Sequence, residues 1–498
     1  MAKILIIGGG VAGLSAGIYA QMAGHSATVC ERNLVVGGNL TGWTRKGYTI
    51  DNCIHWLTGT NPSSSLYKTW CDLGALGNVN VYNAKSLYTY EYNGKKLSLY
   101  ADVERIKNDM LSASKKDEKE ILHFIKAVKT VMYLMGVGGK NKNAKYGVLQ
   151  KIKALPELIK YNNISTGQLA ERFYHPLIRG FLLSLLGEDF SASALICVFA
   201  TICGENGGVP EGGSMAMAQR MANKFTSLGG EILTDKRAVN INVKKGVAQS
   251  VDFADNTQLG ADYVVITADP QIAFNQLLHT KMPTSFAKLY KNMQRFSSYH
   301  CAFACDTKNV PFKGDFIFNI SAFYRTRLHT NHLILREFSH EKGFAPQNKT
   351  VIQSLTFCNE SDAKRFIELK KDQLSYYNVK RKIAAEVQYL IGEKFPQLKG
   401  NLEFLDVWTP ATYNRYTGAE VGSFMSFLLP PKTILKTLSN KVPNASNVFL
   451  ATQWQQSPGG LPIAAKVGQL AVQSILKCEA QKSKIFFFPR KQVNKVGV

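Results

Sequence analysis

The sequence predicts an α/β fold, a parallel sheet covered by helices and interrupted by an inserted mixed α+β domain. Three observations carry this. A short apolar run at the start leads into glycines spaced G-x-G-x-x-G and then into a helical stretch. Two more apolar strand patterns, around 263–267 and 447–450, return to the same grammar far downstream. The 498 residues, at roughly 100–200 per domain, suffice for two or three domains. With 45% apolar and 19% charged residues, the composition is globular and excludes a disordered chain.

Lys3–Ile7 reads as a buried parallel strand, Val11–Ala23 as a helix and Ala27–Cys30 as the next strand. Between the first two, Gly8 permits a tight turn, Gly10 a close approach of backbone to a pyrophosphate, and Gly13 close helix–strand packing. The helix N-terminus, including Ala12, offers free N–H groups and a positive dipole end. Glu31 lies 18 residues beyond Gly13, where an acid accepts hydrogen bonds from a ribose diol; Arg32 follows it. This framed motif is a dinucleotide-binding, Rossmann-like signature. Gly37 and Gly38, followed by Asn39 and Leu40, bring backbone to the cofactor a second time. Gly47–Asp51 then leads to Ile54, His55 and Trp56, read as a strand arriving near the cofactor.

Asn93-Gly94 between two alternating runs, Ser86–Tyr92 and Lys95–Tyr100, marks a hairpin of the second domain. Residues 103–203 are helical in pattern. Pro210–Ser214 opens a helix, followed by strands at Glu231–Thr234, Ala238–Val243, Val247–Phe253 and Tyr263–Thr267. Strand-like runs recur at His300–Cys305, Phe316–Ile320 and Ile352–Phe357. A strand at Asn447–Leu450, a loop carrying Trp454, Gly459 and Gly460, and a helix Leu461–Leu476 repeat the strand, glycine turn and helix arrangement. The expected domains are a discontinuous cofactor domain, 1–80, 205–275 and 440–478, a substrate domain, 81–204 and 276–439, and a basic-aromatic tail, 479–498.

The net charge of +24 points to an anionic partner. Lys140–Lys160 interleaves lysines with apolar residues, as does the tail, where Ile485–Phe488 lies among Lys and Arg. Each segment reads either as a patch for anionic lipid or as a solvated face packed on the protein. Nucleic acid is disfavoured, since no binding module accompanies the charge. The nine scattered cysteines contain no CxxC pair, which disfavours disulfides and structural zinc; no metal is expected. The N-terminus lacks signal-peptide form and no apolar run is long enough to span a bilayer. The expected setting is cytoplasmic, with peripheral binding at the inner membrane face.

Four segments together resemble the carotenoid desaturase family, which includes phytoene desaturases, carotene isomerases and retinol saturases, within the amine oxidase superfamily. They are Gly8–Glu31 with Gly37-Gly38; Pro210–Ser214 with Gly229–Glu231; Thr409–Gly418; and Leu450–Ala465. Ile54-His55-Trp56 is similar to the retinol-saturase side. Asn39 stands where the superfamily commonly has Arg, and no acid occurs between Glu420 and Glu479, which favours carotenoid desaturases over amine oxidases. The resemblance implies non-covalent FAD, held by Gly8, Gly10, Ala12, Gly13, Glu31, Arg32, Gly37, Gly38, Asn39, Leu40, His55, Trp56, Val239, Trp454, Gly459, Gly460 and Leu461. It also implies an apolar lipid substrate whose double bonds are desaturated or saturated by hydride transfer at flavin N5. A redox-neutral isomerase or fatty-acid double-bond enzyme is the alternative, with an amine oxidase or a non-enzymatic flavin- or lipid-binding protein behind it. His55 is the candidate acid/base residue, with a purely structural role equally open. Tyr413 and Arg415 read as braces of the domain joint. Gly136, Gly138 and Gly139 do not form a second dinucleotide motif, so electrons come from or go to an external partner of unknown identity.

Overall fold

A computed structural model describes residues 1–137, 156, 158–434 and 436–487, the last six by backbone alone. Most of Lys140–Lys160, with Gly138, Gly139 and the tail from Phe488 onward, lies outside the described residues.

The first sheet runs in the order Glu231–Leu233, Ser26–Cys30, Lys3–Ile7, Tyr263–Ile266, Ala445–Leu450, Lys441–Val442. Its first five strands are parallel and the last is an antiparallel edge. Both faces are covered, which is why the central strands Lys3–Ile7 and Tyr263–Ile266 read as largely apolar runs. Ile4 and Ile6 point into one core, with Leu14 and Phe225. Leu5 and Ile7 point into another, roofed by an antiparallel three-stranded sheet through Ile241, Val251 and Phe253. On the first face the helices Val11–Met22 and Leu461–Phe487 pack closely. A Cβ at Gly468 would lie 2.5 Å from the Ala12 carbonyl oxygen, so the approach requires glycine there.

The second sheet has seven strands, ordered Glu403–Trp408, Ser297–Asp306, Lys349–Cys358, His332–Glu337, Asp315–Asn319, Ser86–Tyr92, Lys95–Tyr100. Asn93 and Gly94 both have positive φ, 49° and 77°, and close the terminal hairpin. Alternation assigns the faces. Phe316 and Phe318 pack toward the helix Gln373–Lys394 with Val387 and Ile391, while Ile317 packs toward the helices of 103–203 with Phe124, Phe181 and Phe199.

Two expectations are corrected. Ile54–Trp56 is not a strand but an irregular link between Tyr48–Asp51 and Leu57–Thr58. Side chains take its backbone groups instead of a neighbouring strand. Ser214 Oγ accepts from Ile54 N at 2.9 Å, and Arg336 donates to the carbonyls of Ile54 and His55 at 2.9 and 3.2 Å. The helix from Leu461 does not end near Leu476 but continues to Phe487. No Gly or Pro interrupts 469–487, and Glu479 accepts a hydrogen bond from the buried Tyr263 hydroxyl.

Candidate active site

The carboxyl ends of the parallel strands open onto a cavity of about 1220 Å³, which the second sheet walls on its other side. The parallel-sheet wall is made largely of backbone. Gly37 N donates to Gly9 O at 2.8 Å, and Gly10 and Gly37 form an isolated parallel bridge, so the two glycine segments of the sequence form one surface. Gly10 is the N-cap of Val11–Met22 and has no side-chain cap. A Cβ on Gly10 would meet nothing nearer than 3.8 Å, so the space before this helix N-terminus is open. The helix Leu461–Phe487 brings a second N-terminus to the cavity behind Gly459 and Gly460, whose φ values are 81° and 88°. Glu31 is fixed by Gly9 N at 2.7 Å and by Asn33 N and Nδ2 at 2.9 and 2.7 Å. A carboxylate has about four acceptor positions, so one remains for a ribose hydroxyl.

Of the expected contacts, Gly8, Gly10, Ala12, Glu31, Arg32, Gly37 to Leu40, His55, Trp56, Trp454 and Gly459 to Leu461 lie on the cavity wall. Gly13 and Val239 do not. Gly13 serves packing: a Cβ there would sit 1.9 Å from the Gly8 carbonyl oxygen. Val239 is exposed on its strand, and its neighbours Arg237 and Ala238 reach the wall instead. Trp454 is buried, stacked on Tyr290 at 5.5 Å and edge-on to Phe427 at 5.1 Å. Asn39 Nδ2 donates to Phe424 O at 3.3 Å, and Asn39 O accepts from Asn52 Nδ2 at 3.0 Å.

The opposite wall is made of side chains. His55 Nδ1 stands 3.8 Å from Asp315 Oδ2, and Arg336 grips Asp315 with Nε at 2.6 Å and Nη2 at 2.9 Å. Burial, reinforced by the Arg336 charge, holds the His55 imidazole below its ordinary pKa even though Asp315 pulls the other way. His300 lies flat on Trp408, 4.6 Å between centroids, with Nε2 2.8 Å from Ser298 Oγ and 3.2 Å from the Tyr413 hydroxyl. That hydroxyl donates to Asn52 Oδ1 at 2.9 Å and accepts from Trp408 Nε1 at 3.2 Å. Burial pushes His300 well below its ordinary pKa and Tyr413 well above its own. One stretch of the wall is apolar, with Leu185, Phe190, Val198, Ile334 and Leu355.

The motif Thr409–Gly418 is explained locally. Thr409 caps the helix Pro410–Thr417 in a capping box, Pro410 occupies the first turn, and Gly418 ends it with φ 77°. The helix aims Tyr413 inward, while Arg415 rests over the Tyr416 ring at 4.8 Å. Sequence reasoning missed His300, Ser298, Asp315 and Arg336 as site residues. Each sits in a strand that reads only as core, and nothing in the sequence links Ser298 and His300 to Asp315 and Arg336. Asp269, at the end of Tyr263–Ile266, was also missed. It is buried on the wall with Oδ1 bonded to Tyr290 and Oδ2 unpartnered, and burial raises its pKa to about 6. Among the described residues no cluster of three or more metal-ligating side chains occurs.

A bridged pair of glycine segments, two helix N-termini and a fixed acid at the second strand's end fit FAD, and the apolar remainder leaves room for a second molecule. A sequence model of the family described as flavin containing amine oxidoreductase matches residues 11–476. The 4,4'-diaponeurosporene oxygenase of Staphylococcus haemolyticus is 21% identical over 96% of this chain and 98% of its own. The neurosporene-forming phytoene desaturase of Rhodobacter capsulatus is 25% identical over 56% of this chain and 55% of its own. Among solved structures, an oxidoreductase from Methanosarcina mazei superposes with TM-score 0.58 at 17% identity, covering 95% of this chain and all of that one. A putrescine oxidase double mutant gives TM-score 0.58 at 14% identity, covering 95% and 99%. These two show the shared fold.

Proposed function

The chain belongs to the flavin containing amine oxidoreductase family, in its carotenoid desaturase-like branch, and from that premise we propose that this FAD-dependent oxidoreductase acts on carbon–carbon double bonds of an isoprenoid or polyene lipid. One observation carries the reading: a single cavity joins the glycine cradle to apolar walls of Leu, Phe, Val and Ile. The relatives named for carotenoid chemistry support the substrate class.

The glycine turns and the two helix N-termini would hold the pyrophosphate of FAD, and Glu31 would hold the ribose. Bound non-covalently in this way, the flavin supplies a two-electron acceptor or donor. The apolar wall holds the chain of the substrate and excludes water. His55, facing the cavity beside Asp315, would serve as the acid/base group, exchanging a proton with the substrate carbon adjacent to the reacting one. Residues 1–80, 205–275 and 440–478 act as the cofactor unit, and the two insertions as the substrate unit. A basic surface at an anionic bilayer gives the lipid its route in; among the described residues no helix is long and apolar enough to cross a membrane.

Mass spectrometry of lipids co-purified with the yellow protein tests the reading, with its visible spectrum recorded alongside. A polyene lipid is expected, together with flavin that stays in the supernatant after acid precipitation. Anaerobic mixing with that lipid then decides the direction: bleaching of oxidised flavin marks desaturation, reoxidation of reduced flavin marks saturation, and product without net flavin change marks isomerisation. Hydrogen peroxide from amines, with no lipid bound, overturns the proposal.

A further inference from the structure

The chain leaves Lys3–Ile7 for Ser26–Cys30 on one side of it and returns on the other as Tyr263–Ile266. In open α/β sheets the crevice at such a reversal, outside the carboxyl ends of the two strands, receives the phosphates of a dinucleotide. Gly8 lies at one lip of the crevice. Thr267 lies at the other, its hydroxyl donating to the Ile7 carbonyl at 2.9 Å, and Asp269 follows on the cavity wall. A carboxylate there stands beside the place of an anionic pyrophosphate, and the two charges repel. Asp269 is held in position. Its Oδ1 accepts from the Tyr290 hydroxyl at 2.5 Å and from Gln271 N at 2.8 Å, and Tyr290 is fixed in turn by its stack on Trp454. Oδ2 is shielded from solvent and has no partner. The nearest cation is committed elsewhere. Arg295 gives Nε and Nη2 to Glu360 at 3.0 and 2.9 Å and Nη1 to Glu420 at 2.6 Å, and meets Tyr290 only through its ring, at 5.5 Å. Gln271 Nε2 also goes to Glu420, at 3.0 Å. Lys288 and Lys291, on the helix that carries Tyr290, are exposed. Burial, with the Glu420 charge behind it, raises the Asp269 pKa to about 6 against the pull of Tyr290, Gln271 and Arg295. The charged form of such a residue is the costly one, and a second anion alongside favours the neutral acid further.

We infer that FAD binds together with a proton, taken up by Asp269, so that a residue outside the glycine motifs makes the cofactor's affinity depend on pH. The inference rests on the cofactor and not on the identity of the lipid. The Asp269 carboxylate and a proton from solvent give the neutral acid as the pyrophosphate enters; no bond to FAD forms and no electron moves. The bound state holds this proton more tightly than the free state. Affinity is therefore level below about pH 6 and falls above it, by at most about tenfold per pH unit for one proton per FAD.

The test dilutes the FAD-loaded, full-length protein at a series of pH values from about 5.5 to about 9 and reads the fluorescence of released FAD, which gives Kd at each pH. Kd of the unaltered protein is expected to rise with pH above a bend near pH 6. Asp269→Asn keeps the cap on Gln271 and stands in for the neutral acid. Its Kd should be level across the range, equal to that of the unaltered protein at the acid end and at least about tenfold tighter at the alkaline end. Tyr290→Phe, the second variant should the first not fold, removes a bond that favours the carboxylate and should move the bend to higher pH. A level Kd in the unaltered protein, or the unaltered slope retained in Asp269→Asn, overturns the inference and leaves FAD as the cofactor. An Asp269→Asn protein that folds but holds no FAD at any pH, or a bend left in place by Tyr290→Phe, overturns it as well. An unaltered protein that holds no FAD at any pH overturns both the inference and the cofactor.

Discussion

The two walls of the cavity are built on opposite principles. The parallel-sheet wall presents backbone: glycines without side chains, two uncapped or glycine-capped helix starts, and one acid. The wall of the seven-stranded sheet presents side chains from Ser297–Asp306, Asp315–Asn319, His332–Glu337 and Pro410–Thr417, braced by one buried ion pair. A backbone cradle depends on what is missing at a few positions, and so it tolerates little addition. A side-chain wall depends on completed pairs, and so it tolerates little removal.

Removal from the side-chain wall gives the largest expected effect. Arg336→Met leaves Asp315, with only 3% of its side chain exposed, without its guanidinium partner and facing only His55, and also frees the carbonyls of Ile54 and His55. Breaking a buried pair from one side costs about 3–5 kcal/mol, read as a lowered urea midpoint. A loss under about 1 kcal/mol would mean that this wall does not depend on the pair. Addition to the cradle comes next. Gly13→Ala forces a methyl against the Gly8 carbonyl and should cost about 1–3 kcal/mol by the same measurement. Gly10→Val enters open space with φ −72°, which valine adopts, so stability of the flavin-free protein should hold while FAD binding is lost. If both variants fail alike, the two glycines do not divide the labour of folding and binding.

Acidification separates the walls by sign, with the smallest expected effect per group. Burial lowers His55 and His300, and takes His332 and His340 from 6.5 to about 4. As pH falls below 6.5 the unfolded chain takes up protons that these folded histidines, three of them on the side-chain wall, refuse, so stability is lost. Asp269, on the parallel-sheet side, has the opposite sign. Its pKa is raised from 3.8 to about 6, so the folded chain keeps a proton that the unfolded one loses, and its contribution falls as pH rises through that interval. The histidines outnumber it, so Tm should fall between pH 6.5 and 5. Asp269→Asn should steepen that fall, and a flat profile would contradict the assignment of neutral histidines.

This contrast also explains what was legible in the sequence. Gly8, Gly10, Glu31, Gly37 and Gly38 are readable because backbone geometry demands glycine at fixed spacing within one short stretch. The strands of the parallel sheet were legible as elements, since Lys3–Ile7 and Tyr263–Ile266 are largely apolar runs, but their order was not read. His300 was not readable, because in a strand flanked by cores on both faces a histidine looks like packing. Its partners lie far away in sequence: Tyr413 on a helix, Asn52 in a loop. Val239 misled for the related reason that one residue of shift along a strand reverses the face. The helix beyond Leu476 was missed because Lys and aromatic residues were read as a membrane-facing tail, although no helix breaker stands between 469 and 487.

The order of strands in the parallel sheet has a consequence for biosynthesis. Lys3–Ile7 lies between Ser26–Cys30, made at once, and Tyr263–Ile266, made only after the helices of 103–203 have left the ribosome. Tyr263–Ile266 in turn waits for Ala445–Leu450, and the second helix N-terminus of the cavity begins later still, at Leu461. Long-range parallel pairings are slow to form because the loop entropy is spent before the contacts reward it. The nascent chain therefore carries an unfinished sheet edge through most of its synthesis, an exposure that invites chaperone binding. Flavin capture is correspondingly a late event, completed only when the segment from Ala445 onward has folded back onto the sheet that holds Lys3–Ile7.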